Sequence, residues 1–251
     1  MKWEHRCSLE WLRERQHYIT ASDIRSLIPL TKTGRKRTVG DDEYLKVMSS
    51  KYVELDEEDC MSYGVMARGH LLEPYAVDAL NETLEKIGSD ERFDHWDDKL
   101  ISVPGRIIAF SPDAMDLPMG YPDVENKVTA IAEVKSYGID RHLATAYTPK
   151  DQLEERWQIA TAMALLPNID HAYLVLFNPK AKAFKLFVIR YDRSDLVDEI
   201  NMILEVEKNV GEFFIAGPLT KKPASGAIIS GYRKDEKEIV AELELRQNLN
   251  P

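Results

Sequence analysis

The residues of this chain with the clearest capacity for chemistry are two acids and a lysine in its middle part. They are Asp113, in the run Ser111-Pro112-Asp113, and the acid and the base of Glu133-Val134-Lys135. On a β-strand alternate side chains share a face, so Glu133 and Lys135 point the same way while Val134 points into the core. An acid and a lysine on an otherwise apolar strand are costly to bury without partners. Asp113, at the end of the preceding predicted strand, supplies a second carboxylate.

Two carboxylates beside a lysine are suited to binding a divalent metal ion next to a phosphate. Mg²⁺ prefers oxygen ligands in near-octahedral geometry, and Asp113, Glu133 and the backbone carbonyl of Val134 leave positions for water and a phosphate oxygen. Such an ion polarises the phosphate and lowers the pKa of bound water. Lys135 can position the attacking water and offset charge in the transition state. The sequence therefore predicts metal-assisted phosphodiester hydrolysis, with Mg²⁺ as the ion and Mn²⁺ as an alternative.

An aspartate followed at a distance by Glu-x-Lys also arises by chance, so this motif has a structural alternative. In that alternative, Glu133 and Lys135 form a salt bridge on an edge strand and do no chemistry. The rest of the chain has to decide between the two interpretations.

The elements that position these residues follow from the hydrophobic pattern. Helices are predicted over 9–16, 22–28 (capped by Ser22 or Asp23), 41–50, 64–86 (with Pro74 in its first turn or at a kink), about 150–166, and a long final helix capped by Ser194. Short apolar runs predict strands at 101–103, 107–110, 130–134, 171–177 and 184–191. Helices followed by a sheet and more helices indicate an α/β domain over residues 1–216. Residues 217–251 are charged and have little to bury, so we interpret them as a peripheral arm.

Composition restricts the class of protein further. Of the 251 residues, 44% are hydrophobic and 30% are charged, as in ordinary globular proteins. No stretch approaches the ~20 consecutive apolar residues of a membrane span, and the N-terminus leads into a charged segment, so we expect a cytoplasmic protein with no membrane contact. Cys7 and Cys60 are too few for a disulfide framework or an iron–sulfur cluster, and we expect two reduced, part-buried thiols.

The net charge of −10 argues at first against nucleic acid as a partner, since that binding neutralises phosphates. A metal-dependent nuclease, however, gathers carboxylates at its site, and a DNA channel needs only a local basic lining. A candidate lining is the set of four cations around Gly34, which are Lys32, Arg35, Lys36 and Arg37. Its alternative interpretation is a solvated charged loop.

Four blocks of the sequence, in order, resemble the phage lambda exonuclease and YqaJ-type viral recombinase family, a branch of the PD-(D/E)xK nucleases. These blocks are Trp11-x3-Arg15-x3-Ile19-Thr20-Ala21-Ser22-Asp23-Ile24, Gly69-x3-Glu73-Pro74, Ser111-Pro112-Asp113 with Glu133-Val134-Lys135, and Gln158-x4-Met163. The resemblance covers residues 11–166. It implies a restriction-endonuclease-like core, with a central mixed β-sheet flanked by helices and a helical N-terminal part. The link between Asp113 and Glu133 is longer than the family's, which predicts an extended hairpin loop.

The resemblance also implies roles for individual residues. Asp113, Glu133 and the Val134 carbonyl would be metal ligands, Glu73 would add an acidic group from its helix, and Lys135 would be the catalytic lysine. Gln158 would orient water or lysine. An anion pocket for a 5′-terminal phosphate would consist of Arg15, Ser22 and Ser111, since a guanidinium and hydroxyls suit a phosphate dianion.

Simpler roles stay open for several of these residues. Arg15 can pair with Glu14, Ser22 can be a helix cap, Glu73 can be solvated, and Gln158 can be exposed. Trp11 can pack in the core or offer a face for base stacking.

The function implied by the resemblance is a Mg²⁺-dependent exonuclease that digests one strand of duplex DNA from the 5′ end. The 3′ overhang would pass to a single-strand annealing protein, and the enzyme would be a homo-oligomer, a ring-shaped trimer around DNA. Two other functions fit the same core: an endonuclease, which needs no anchor for a 5′ phosphate, and a non-catalytic protein that binds DNA ends for recombination.

Overall fold

The structure is a computed structural model that describes residues 4–31, 35–51, 53–148 and 154–216. Contacts divide the chain into two units, Met1–Phe213 and Phe214–Pro251, and the elements below belong to the first, except for the end of the last helix. The predicted arm, residues 217–251, lies outside the described residues, and the boundary at 216 stays a prediction. Within the described ranges, none of the helices combines the length and apolar character that a membrane crossing requires.

The N-terminal part is helical, as predicted. Ser8 caps helix α1 (Leu9–Arg15) by accepting a hydrogen bond from the Trp11 N–H at 3.3 Å. Helix α2 (Ala21–Leu27) starts after Thr20, not at Ser22 or Asp23. Thr20 is the cap because it forms a reciprocal capping box, in which its own N–H donates to Asp23 Oδ2 at 3.1 Å. The prediction that Ser22 or Asp23 caps this helix is therefore wrong.

Two further helices of this part also begin near the predicted positions. Helix α3 spans Asp41–Ser49 and is preceded by Gly40, whose N–H donates to Glu43 Oε2 at 2.8 Å. Helix α4 spans Gly64–Lys86, the predicted range. Gly64 has a φ of +63°, a conformation that favours glycine. Pro74 lies in the middle of α4, so the first-turn placement is wrong, and the His70 carbonyl has no proline N–H to accept from.

The central sheet has five strands in the order β10-β9-β8-β7-β4. They are β4 (Asp94–His95), β7 (Ala114–Met115), β8 (Ala130–Lys135), β9 (His171–Phe177) and β10 (Leu186–Asp192). β8 is parallel to β9 and the other neighbouring pairs are antiparallel, which makes the sheet mixed, as predicted. Strand β8, which carries Glu133 and Lys135, is the middle strand.

Two smaller sheets contain the remaining strands. The first orders β2 (Ile19–Thr20), β6 (Ile108–Phe110) and β5 (Ile101–Ser102), with β6 in the middle. The two predicted strands at 101–103 and 107–110 therefore exist, but in a separate sheet. The second pairs β1 (Glu4–Arg6) with β3 (Met61–Tyr63).

Helices flank the sheet and connect its strands. A short helix, α5 (Val124–Lys127), precedes β8, and the connection from β8 to β9 contains α6 (Ile139–Tyr147) and α7 (Arg156–Leu165). The final helix, α8 (Val197–Ala216), follows a 3₁₀ turn at Arg193–Leu196. Asp192 caps that turn through a reciprocal box with Asp195, so the prediction of Ser194 as the cap is wrong.

The core below the sheet lies between α4 and the central strands. Its buried members are Ala76, Val77, Leu80, Leu84, Phe93, Ala114, Ala130, Ala132, Val134, Tyr173 and Val175. Because Ala130, Ala132 and Val134 of β8 face this core, Glu133 and Lys135 point to the opposite face of the sheet. The predicted orientation of Val134 is confirmed. Cys7 is half-buried, whereas Cys60 is buried and not part-buried as predicted; both are free thiols.

Candidate active site

Glu133 and Lys135 form an ion pair on the central strand, where Lys135 Nζ donates to Glu133 Oε1. The Glu133 residue is only 8% exposed. Burial raises the pKa of Glu133, and the ammonium of Lys135 opposes that rise. Burial would lower the pKa of Lys135, but Glu133 and Asp113 raise it above its usual range. The salt bridge exists, but the edge-strand alternative is wrong because β8 has neighbours on both sides.

Asp113 precedes β7, the antiparallel neighbour of β8. Ala114 pairs with Ala132 in that ladder, which puts Asp113 opposite Glu133 on the same face of the sheet. Its Oδ2 accepts a hydrogen bond from the Val134 N–H at 2.6 Å, and its carbonyl accepts from the Trp96 N–H at 2.9 Å. Burial, then the charges of Glu133 and Glu73, raise the pKa of Asp113 well above its usual value. The structure thus brings together the two acids and the lysine that the spacing predicts.

Glu73, on α4, acts on these acids through its charge, which raises the pKa of Asp113 and of Glu133. Its side chain is only 13% exposed, so the solvated alternative is wrong. Its Oε1 lies 3.3 Å from His70 Nδ1, and its Oε2 lies 3.6 Å from His95 Nε2. Burial alone would raise the pKa of Glu73, but the two histidines outweigh it and lower the pKa to about 2. Glu73 is thus held as a carboxylate by histidines that the sequence motif does not include.

The donor set suits a hard divalent cation. Asp113, Glu133 and Glu73 carry carboxylate oxygens, and after burial the charges of Glu133 and Glu73 are the next causes of the raised pKa of Asp113, which a bound cation would offset. Glu133 is paired with Lys135, and Glu73 with His70 and His95. Over the ranges that the structure describes, no three His, Cys, Asp or Glu side chains come together closely enough to hold a metal ion. Metal binding would therefore require Lys135 to release Glu133, or His70 and His95 to release Glu73.

A second polar group lies next to these acids and contains Arg15, Ser22 and Ser111. The guanidinium of Arg15 donates to Ser111 Oγ at 3.4 Å and to Ser22 Oγ at 3.3 Å. Thr20 Oγ1 lies 2.9 Å from Ser22 Oγ and 3.5 Å from Arg15 Nη2. The three residues predicted as an anion pocket are thus brought together, and burial lowers the pKa of Arg15. Ser111 stands two residues before Asp113, so this pocket and the acids share one chain segment.

Trp11 belongs to this pocket as well. Its indole N–H donates to Ser111 Oγ at 3.2 Å, and the Arg15 guanidinium carbon lies 4.5 Å from the centre of its ring. The ring is half-buried. One face of Trp11 therefore holds Arg15 in place by a cation–π contact, a role that the sequence did not suggest.

The other predicted site residues differ in their surroundings. Gln158 lies in the first turn of α7 and is half-buried, and its N–H donates to the Glu155 carbonyl at 3.0 Å. Lys32 lies outside the described residues. Arg35 and Lys36 are exposed. Arg37 donates to the carbonyls of Ile28 and Ser26 and to Glu43, so its side chain connects α2 with α3.

Sequence reasoning missed four groups around the site. The i,i+3 spacing of His70 and Glu73 on a helix is a signal that was available, and so is the Thr-x-x-Asp capping pattern of Thr20. His95 and Glu155 come from distant segments, and no spacing in the sequence connects His95 to Glu73 or Glu155 to Glu133.

Comparisons with known proteins identify the fold. No family model matches the chain, and no curated protein does. Among solved structures, an alkaline exonuclease (LHK-Exo) from Laribacter hongkongensis is similar over 83% of this chain and 97% of that chain, with 19% identity and a TM-score of 0.54. The structure of LHK-Exo in complex with dAMP is similar over 82% of this chain and 96% of that chain, with 19% identity and a TM-score of 0.53. A phage-related exonuclease from Haemophilus somnus 129PT is similar over 82% of this chain and 98% of that chain, with 15% identity and a TM-score of 0.42. The chain therefore has the α/β, restriction-endonuclease-like fold of the Laribacter exonuclease.

Proposed function

We propose that this protein is a metal-dependent deoxyribonuclease that digests one strand of double-stranded DNA from its 5′ end. The observation that supports this most strongly is the adjacency of two sites on one segment. Ser111 accepts hydrogen bonds from Arg15 and Trp11, and Asp113 faces Glu133 two residues later. A terminal phosphate held at Arg15 would leave the next phosphodiester near the acids. The shared fold with an alkaline exonuclease agrees with this reading.

In this proposal the acids hold Mg²⁺, and Mn²⁺ is an alternative. The ligands are Asp113, Glu133 and the Val134 carbonyl, with Glu73 as a further acidic group. When bound, the ion supplies a polarised phosphate and a water of lowered pKa. Lys135, an ammonium on the same face as Glu133, positions the attacking water and offsets negative charge on the phosphate. Gln158 orients that water or Lys135 from the first turn of α7.

The Arg15 pocket gives the enzyme its direction. Arg15, Ser22 and Ser111 offer a guanidinium and two hydroxyls to the 5′-terminal phosphate. Once a nucleotide is released, the new 5′ phosphate can occupy the same pocket, and the strand is shortened in steps. The remaining strand is then a 3′ overhang, which a single-strand annealing protein would use in recombination. By resemblance, the protein works as a homo-oligomer, a ring-shaped trimer, in the cytoplasm of a bacterial or phage-infected cell.

The experiment is digestion of a linear duplex that carries either a 5′ phosphate or a 5′ hydroxyl, in Mg²⁺ or EDTA. We expect mononucleotides from the phosphorylated end only, and none with EDTA or with Lys135→Ala. Lys127→Ala, which changes an exposed lysine on α5, is the control that should retain activity. Arg15→Gln should remove the preference for the phosphorylated end, whereas Arg13→Gln, on the same helix but exposed, should keep it.

Two further measurements separate the other functions. Nicking or linearisation of a circular duplex would identify an endonuclease, which does not need the Arg15 pocket. Binding of DNA ends without cleavage in Mg²⁺ or Mn²⁺ would identify a non-catalytic end-binding protein.

A further inference from the structure

The loop that joins β9 to β10, residues 178–185, is a basic segment that the proposed mechanism does not use. It contains Lys180, Lys182 and Lys185, and all three are exposed. Within the described ranges of the chain, no carboxylate forms an ion pair with any of these ammonium groups. In a protein with a net charge of −10, three unpaired cations on one short loop are a local exception, and they favour an anionic ligand.

An exposed aromatic pair accompanies these lysines. Phe184, on the loop, packs edge-to-face against Tyr147, the last residue of α6. The two ring centres are 5.2 Å apart and the ring planes are inclined by 80°. Tyr147 remains 67% exposed and Phe184 45% exposed. Cations interspersed with exposed aromatic rings are the combination that binds a single nucleic-acid strand, since the cations contact phosphates and the rings stack on bases.

The backbone of the loop holds Phe184 in this position. Its φ of +54° lies in the left-handed region, which is uncommon for a residue other than glycine. Its carbonyl oxygen lies 2.6 Å from Nε2 of His142, a fully buried residue of α6. This hydrogen bond links the loop to the same helix that carries Tyr147. The aromatic pair is therefore built into the fold and does not depend on the two side chains alone.

Hydrogen bonds also connect the loop to the strand of the candidate active site. β8 pairs with β9 up to Lys135, so β9 runs into the loop beside the end of β8. Asn178 is buried, and its Nδ2 donates to the Tyr137 carbonyl at 2.9 Å. Arg68 donates both to Asn178 Oδ1 and to the Ser136 carbonyl, each at 3.2 Å. The loop therefore starts next to the residues that directly follow Lys135.

We propose that residues 178–185, together with Tyr147, bind the single-stranded part of the DNA beside the active site. The three lysines contact phosphates, and the pair of Tyr147 and Phe184 stacks on an unpaired base. Inside a duplex both faces of each base are already covered by its neighbours, so these rings need a strand without a partner. Digestion of one strand leaves such bases on the other. The inference rests on the proposed function, which supplies this single strand.

The experiment measures binding of a fluorescent single-stranded oligonucleotide by anisotropy at several salt concentrations. The oligonucleotide has a 5′ hydroxyl, so that no terminal phosphate contributes, and EDTA prevents cleavage. The loop variant combines Lys180→Gln, Lys182→Gln and Lys185→Gln. The control variant combines three exposed cations outside the loop, Lys86→Gln, Arg92→Gln and Lys127→Gln.

The dependence on salt measures how many phosphate contacts are lost. Removing three such contacts should make the slope of log affinity against log salt less steep by about 2, which corresponds to binding weakened about 100-fold at about 0.1 M salt. The control variant should keep the slope of the wild type. An unchanged slope and affinity in the loop variant would overturn the inference. So would an equal loss for a blunt duplex, because the lysines would then serve double-stranded DNA.

The aromatic pair is tested separately through Tyr147. Tyr147→Ala should weaken binding of the oligonucleotide about tenfold and leave the salt slope unchanged, because stacking involves no phosphate. Tyr147→Phe keeps the ring and should bind like the wild type. An equal loss in the Ala and Phe variants, or none in Tyr147→Ala, would contradict stacking.

Digestion of the phosphorylated duplex by the wild type distinguishes failure of this inference from failure of the proposed function. If the wild type digests the duplex and the loop variant binds the single strand normally, only the inference fails. If the wild type cleaves no DNA but the loop variant has lost single-strand binding, the proposed nuclease function fails and the loop is still a binding site for a single strand.

Discussion

Asp113 is a residue whose proposed contribution to function opposes its contribution to stability. Its carboxylate lies opposite Glu133, and burial together with the charges of Glu133 and Glu73 raises its pKa. In the absence of metal, Asp113→Asn removes this repulsion and can keep the acceptor for the Val134 N–H. We expect a gain of about 1–2 kcal/mol in the free energy of unfolding. By thermal unfolding in EDTA, the melting temperature should rise by roughly 3–6 °C, while cleavage is lost.

The control for that stability change is Asp94→Asn, at an exposed position on β4. Its effect should stay within about 0.5 kcal/mol. A destabilised Asp113→Asn protein would show that the carboxylate is favourable where it lies and that the repulsion is small.

The raised pKa values of Asp113 and Glu133 predict how metal affinity depends on pH. In the metal-free protein, a carboxyl with a raised pKa keeps its proton to a higher pH, and a cation must displace that proton to bind. Affinity should therefore fall as the pH is lowered through the raised pKa values and level off above them. Calorimetric titrations with Mn²⁺ from about pH 6 to about pH 9, in buffers of different ionisation enthalpy, measure both affinity and released protons. Binding without proton release over that range would contradict the prediction.

For individual residues, the sequence predicts those that lie within one strand or one motif, and it fails to predict partners from distant segments. The alternation of β8 is enough to place Glu133 and Lys135 on one face, away from Val134. Nothing comparable links Glu73 to His95, which lies on another strand, or Glu133 to Glu155 at the start of α7. Such contacts depend on the register and packing of elements, which no local period encodes.

Among the elements, α8 is linked to the start of β6, in the three-stranded sheet, by one acid, Glu207. Its carboxylate accepts hydrogen bonds from Arg106 Nη2 at 2.6 Å and from the Ile107 N–H at 3.0 Å. Glu207→Gln removes the charge from this network, and we expect a loss of about 2 kcal/mol. The melting temperature should fall by about 4–8 °C, whereas Glu205→Gln, exposed on the same helix, should leave it nearly unchanged. Equal melting temperatures for the two variants would mean that packing alone holds α8.

The predicted elements were most accurate where the hydrophobic pattern is long. Helix α4 and strand β9 have the predicted bounds, since each contains enough residues to define a period. The link between Asp113 and Glu133 was expected as a hairpin loop, but it contains β7 and α5. A strand of two residues, such as β4 or β7, has no alternation to detect and exists only because its neighbour pairs with it. Helix α6 was missed as well, although it presents Arg141 to Glu155.

For the whole molecule, the net charge of −10 gives little information about the partner. Acids gathered around Asp113 repel DNA as long as no cation neutralises them, whereas the Arg15 pocket attracts an anion. The balance between these two regions, not the sum over the chain, decides whether a DNA end can bind. A protein of this charge digesting DNA in many successive steps would need a way to remain on its substrate. An assembly that encloses the duplex provides one, since only its inner wall has to be basic.

Assembly is therefore the property of the whole molecule that the proposal predicts. One chain has a mass of 28.8 kDa, so a trimer has three times that mass, about 86 kDa. Sedimentation velocity at micromolar concentration should give one species of that mass, with and without Mg²⁺. In a digestion to which excess unlabelled duplex is added after the start, the trimer should continue on the strand it has begun. A monomer that still degrades long stretches past that trap would show that processivity has another origin. A monomer that stops at once would contradict the ring alone, and the proposed chemistry at Asp113, Glu133 and Lys135 would still stand.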